Sequence, residues 1–140
     1  MSDNCITVER CVILVDVELS PGRAANAAAV IALTVGQRHP QLVGAPLVDR
    51  SGHEHPGLIP IGITVLAAEQ PFLSQVRDKG IEAGCDVVDF PVQGQQTTNY
   101  QAFIEQVALT EQAALQYVGI ALMGERKTIS KIVANLPLLK

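Results

Sequence analysis

The feature that most constrains this chain is an apolar segment near its end, Leu115-Gln116-Tyr117-Val118-Gly119-Ile120-Ala121-Leu122-Met123, which runs into Gly124. Its length suits one strand, and consecutive apolar positions leave neither face polar. A strand of this kind needs cover on both faces, so it belongs in the middle of a helix-covered sheet. Ile129, Ile132, Val133 and Leu136 then recur at helical spacing, and Pro137 stops the helix before Leu138-Leu139-Lys140.

The rest of the chain alternates in the same way. Cys11 to Val17 is a second continuous apolar run and reads as a strand buried on both faces. Ser20-Pro21 starts a helix, and Arg23 to about Gln37 is so rich in alanine that nearly every side of it is apolar. A helix apolar all round is usually covered all round, which predicts a second layer over it, such as a partner subunit. Leu42 to Gly57 is punctuated by glycine and proline and reads as an irregular connection. A strand is expected over Leu58–Leu66, a helix from Gln70-Pro71 to Gly84, and a short strand over Cys85–Phe90 stopped by Pro91. A polar loop, Val92–Asn99, leads through a capping box at Thr98-x-x-Gln101 into a helix with Tyr100, Phe103, Ile104, Val107 and Ala108 on one face. Tyr100 is expected in the core. Four strands alternating with four helices predict a three-layer α/β/α sandwich, built as one domain over residues 1–140.

Composition narrows the function classes. Apolar residues make up 48% of the chain and aromatic residues 4%, so the core must be aliphatic. The net charge is −4 and the ten basic residues are scattered, which argues against nucleic acid as a partner. Cys5, Cys11 and Cys85 form no C-x-x-C pair and read as reduced thiols, with Cys85 the better candidate for reactivity because it opens a strand. The start, Met1-Ser2-Asp3-Asn4, lacks a secretory pattern, and no run reaches the ~18–20 apolar residues of a membrane span. A cytoplasmic protein without a membrane partner is expected.

Several short stretches carry a resemblance. Val12-Ile13-Leu14-Val15-Asp16-Val17-Glu18-Leu19 followed by a small-residue helix resembles the opening of type-two peptidyl-tRNA hydrolases, as does Val118 to Gly124 with its helix and Leu136-Pro137-Leu138-Leu139 tail. The chain is similar also to a bacterial domain-of-unknown-function family of that fold. That similarity is carried by Glu18-Leu19-Ser20-Pro21, Asn26, Leu42-Val43-Gly44-x-Pro46 with Asp49 and Gly52, and Val118-Gly119 with Arg126-Lys127. The resemblance implies a mixed four-stranded sheet and a homodimer, and it implies no activity. The hydrolases carry a Lys near the position of Ala25 and an Asp-Ala-Gly-Arg-Thr-Gln-like loop where this chain has Phe90 to Thr98. Both the cation and the charged loop residues are missing here.

Candidate binding residues gather at three places. Asp16, Arg23 and Asn26 lie around the first strand–helix junction, where a helix N-terminus and a guanidinium suit an anion. Gln96 and Thr98 offer neutral donors and acceptors in the polar loop, and Arg126 stands at the start of the last helix. One pocket formed by all three would make the chain a binder of a small anionic ligand. The alternatives are a hydrolase related to peptidyl-tRNA hydrolase and a dimeric interaction module. His53-x-His55 with Asp49 offers imidazoles and a carboxylate, with His39 nearby in sequence. No His-Glu-x-x-His and no partnering Cys accompany them, so neither a metal nor a cofactor is expected.

Overall fold

The computed structural model describes residues 7–140, so Cys5 and the N-terminal tetrapeptide lie outside the described residues. The strands are β1 (Arg10–Asp16), β2 (Leu47–Val48), β3 (Glu54–His55), β4 (Thr64–Ala68), β5 (Asp86–Pro91) and β6 (Tyr117–Gly124). The helices are α1 (Pro21–Arg38), α2 (Gln70–Glu82), α3 (Gln93–Gln96), α4 (Tyr100–Ala108) and α5 (Arg126–Ile132). Four strands form a mixed sheet in the order β4-β1-β6-β5. β1 pairs parallel with β4, and β6 runs antiparallel to both β1 and β5.

β6 lies inside the sheet, and all eight of its residues are buried. Helices lie against both faces. Cys11, Ile13 and Val15 point to α1 and meet its buried stripe, Ala24, Ala27, Ile31 and Val35. Val12 and Leu14 point the other way, to Leu73 and Val76 of α2 and Ile129 of α5. Ser20 caps α1, its hydroxyl accepting from the Arg23 N–H at 3.4 Å, and Pro21 opens the helix with its φ already set. Arg38 in the last turn offsets the negative end of the helix dipole.

Two glycines let the helices approach closely. A Cβ on Gly119 would lie 2.9 Å from the Leu14 carbonyl oxygen and 3.0 Å from the Ile31 side chain of α1. A Cβ on Gly80 of α2 would lie 2.5 Å from a Leu122 methyl on the other face.

Several expectations need correction. Leu58 to Ile63 is not strand; Gly62, at φ 72°, ends a turn there, and β4 begins only at Thr64, where pairing with Val12 begins. The connection after α1 contains a 3-10 turn at Pro40–Leu42 and the β2–β3 hairpin, neither expected. Asn99, not Thr98, caps α4, its side-chain oxygen accepting from Ala102 N–H at 2.8 Å. Tyr100 is 74% exposed and meets Phe103 edge-on at 5.9 Å, outside the core. α1 is not covered all round within one chain, because Val30 and Leu33 on its outer side are 42% and 79% exposed. Beyond α5, Asn135 takes φ 72° and the tail turns back along β4. There the Ala67 N–H donates to the Pro137 carbonyl and the Leu139 N–H to the Val65 carbonyl, so the tail covers an otherwise open sheet edge. No described helix is long and apolar enough to cross a membrane.

Gly119→Ala is expected to cost about 1–3 kcal/mol, since the rigid Leu14 carbonyl cannot yield to the new methyl. A urea midpoint is the measurement, and one equal to the wild type would show that α1 can lift from the sheet at this point.

Candidate functional site

The local chain around the end of β1 is set by Asp16. Its carboxylate accepts from the Glu18 N–H at 2.9 Å and its carbonyl from the Leu19 N–H at 3.1 Å, which closes the turn into Ser20. The Val17 N–H donates to the Ala68 carbonyl and carries the parallel ladder one step beyond both strands. From here α1 departs to one face of the sheet and α2, after β4, to the other. Adjacent parallel strands whose helices part to opposite faces leave a crevice at their carboxyl ends, the position at which open α/β sheets take ligands.

That crevice is present. A cavity of about 640 Å³ is lined by Val17, Leu19, Pro21, Ala24 and Ala25 on one side and by Ala67 and Pro137 to Lys140 on the other. A second cavity of about 420 Å³ shares Val17, Ala67 and Pro137 with it and continues toward Glu69 and Phe72. Pro137 of the C-terminal tail stands between the two. Most of the lining is aliphatic. Lys140 is also part of the lining of the larger cavity, and the first turn of α1 contains no acidic residue.

The expected polar site does not assemble as one pocket. Asp16 continues the Val12 and Leu14 side of β1, away from α1, and its carboxylate is occupied by the turn. Arg23 and Asn26 do meet the polar loop, but through Gln95. The Gln95 amide donates to the Arg23 carbonyl at 2.9 Å and to the Asn26 side-chain oxygen at 3.1 Å, while the Arg23 side chain stays exposed. Gln96 and Thr98 are exposed and turned outward. The loop is partly helical, as α3, and this decides which glutamine faces α1. Gln93 Oε1 and Gln95 Oε1 are buried without a partner among the described residues. Arg126 lies at the opposite end of the sheet. Gly124 pairs with Arg10 whereas Gly119 pairs with Val15, a separation of about 17 Å at ~3.3 Å per residue. There the Arg126 N–H donates to the Glu9 carboxylate at 2.9 Å, so the start of α5 already has its anion.

The histidines separate as well. Asp49 organises the β2–β3 hairpin: its carboxylate accepts from the Ser51 and His53 N–H groups and lies 2.9 Å from His55 Nε2. That bond to His55 is the main cause holding the Asp49 carboxyl below its usual value. Among the described residues no three His, Cys, Asp or Glu converge as a metal site. His39 goes elsewhere, buried at 1% exposure with Nε2 2.6 Å from Asp86. Arg38 clasps the same carboxylate from two nitrogens, at 2.9 and 2.7 Å, tying the end of α1 to the start of β5. Cys11 and Cys85 are poor nucleophiles: burial pushes the Cys11 thiol up to about 11, and burial, then Glu125, raises that of Cys85.

A family model described as Protein of unknown function (DUF2000) matches residues 9–140. No curated protein matches the chain. A solved protein of unknown function from Agrobacterium tumefaciens strain C58 is similar in fold, with a TM-score of 0.83 at 19% identity, over 92% of this chain and 96% of that one.

Burial alone would raise the Asp86 pKa, but the Arg38 and His39 bonds outweigh it and hold the carboxyl below its usual range. Its stabilising contribution is therefore present above the unfolded-chain value of about 3.9 and is lost as pH falls through the lower folded value. Asp86→Asn is expected to melt below the wild type at neutral pH, with the gap closing in acid. A gap of constant size down to pH ~2 would show that charge is not what Asp86 contributes.

Proposed function

Given that this chain belongs to the DUF2000 family of proteins of unknown function, we propose that it binds a small amphipathic molecule in the crevice at the ends of β1 and β4. One observation carries the reading: the aliphatic cavity of about 640 Å³ lies where the helices of two parallel strands part. The aliphatic lining suits an apolar body. The acid-free first turn of α1 suits an anionic end, so the ligand remains anionic while the site moves away from Gln96, Thr98 and Arg126.

The finer architecture belongs to the same proposal. Helices on both faces of the mixed sheet support a single three-layer α/β/α domain of the type-two peptidyl-tRNA hydrolase kind. Within that likeness the position of the hydrolases' Lys falls near Ala25, and Ala25 lines the crevice. An aliphatic wall in place of a cation favours binding over hydrolysis. The buried, protonated thiol of Cys11 supports a cytoplasmic setting. The outer side of α1, with Val30 and Leu33, supports a homodimer paired through this helix.

Octanoate is expected to raise the melting temperature with concentration, and Ala25→Trp to abolish that rise. Ala25 is exposed, so the indole fills the crevice without entering the core. An equal octanoate shift in wild type and Ala25→Trp would remove the crevice from consideration. For the dimer, Leu33→Glu is expected to convert the sedimentation velocity profile to monomer, and a wild type that already sediments as monomer would refute the pairing.

A further inference from the structure

A third cavity lies across the sheet from α1, between α2 and the turn that precedes β6. It measures about 390 Å³ and is lined by Ser74, Arg77 and Asp78 of α2, by Gln112, Ala113 and Leu115, and by Tyr117. It shares no lining residue with the crevice at β1 and β4.

An irregularity in β6 builds it. Phe90 pairs with Gly119 but Pro91 pairs with Tyr117, so Val118 is the extra residue of a β-bulge. Strict alternation from Met123 and Ala121 through Gly119 would send Tyr117 toward α1. The bulge turns it to the α2 face, where its ring lies under the Arg77 guanidinium at 5.8 Å. Tyr117 is 2% exposed, and its hydroxyl makes no hydrogen bond among the described residues. Arg77 is held from two sides: its Nε donates to Asp89 at 2.6 Å and its Nη1 to Asp78 at 3.1 Å. The Nη2 end remains unpaired among the described residues.

The charges select the ligand. One guanidinium faces two carboxylates, so a simple anion entering this cavity meets net negative charge. A simple cation can pair with Asp78 but leaves the Arg77 Nη2 end and the Tyr117 hydroxyl unmatched. A molecule with a carboxylate and an ammonium close together satisfies both, the carboxylate toward Arg77 Nη2 and the Tyr117 hydroxyl, the ammonium toward the exposed carboxylate of Asp78. We propose that this cavity is a binding site for small zwitterions of the α-amino acid class.

L-alanine, propionate and ethylamine test the idea, since the last two each keep one of the charged groups of the first. Titration of the full chain, followed by amide NMR, is expected to give saturable shifts at Ser74, Arg77 and Gln112 with L-alanine. Propionate and ethylamine should bind at least about tenfold more weakly. Tyr117→Phe keeps the ring and removes only the hydroxyl, and it should weaken L-alanine about tenfold. Gln112→Trp, at an exposed rim position, should block the cavity without disturbing the core. No saturable shift, fragments binding as tightly as L-alanine, or affinity unchanged in both variants would each overturn the assignment.

Discussion

Everything in this structure depends on the insertion of β6 between β1 and β5. All eight β6 residues are buried, with Ile120, Leu122 and Met123 fully so. Each such side chain contributes roughly 1.5–3 kcal/mol on burial, whereas an exposed ion pair contributes about 0–1 kcal/mol. The aliphatic contacts of this one strand therefore outweigh surface pairs such as Arg77 with Asp78. Because β6 runs antiparallel to both neighbours, the carboxyl ends of β1, β4 and β5 share one end of the sheet. The loops that follow those strands gather at that end, and the crevice between β1 and β4 is among them.

The antiparallel insertion also separates the cations. Arg126 follows the end of β6 and so falls at the opposite end from Arg23, which follows β1. No rotation of side chains closes a gap set by strand direction. A site combining both would need β6 parallel to β1. This topological constraint leaves the crevice with a mostly aliphatic lining that includes neither guanidinium.

The fold was legible wherever burial is two-sided. Cys11 to Asp16 and Tyr117 to Met123 carry no polar face, and periodicity finds such strands without knowledge of their partners. The stretch from Leu58 to Ile63 is equally apolar, yet Leu58 is 67% exposed. Strand there depends on reach of the β1 ladder, which begins at Val12 with Thr64, and no local signal encodes that limit. The site was less legible for the same reason. Asn26 and the polar loop do meet, but the glutamine that joins them is Gln95, and which of the glutamines faces inward follows from the four-residue turn of α3. The tail along β4 and the bulge at Val118 are both consequences of pairing between distant segments.

The bulge shows how a single extra residue changes the chemistry of a surface. Without it, Tyr117 would join Ala121 and Met123 against α1, and Arg77 would face only carboxylates. With it, the guanidinium has an aromatic face beneath it, and the phenol ring that supplies that face is buried. The Tyr117 ring is buried, but its hydroxyl is not one of the fully buried atoms left without a partner. The hydroxyl at the wall of a cavity has water or a ligand as its remaining partners. Burial is the main cause raising the Tyr117 pKa, with Asp89 next, so the hydroxyl keeps its proton at neutral pH and is available as a donor. A buried phenol donor, a guanidinium with one end unpaired and the Asp78 carboxylate bonded to that guanidinium bring both signs of charge together on one cavity wall. Its complement is a molecule that carries both signs over a short distance.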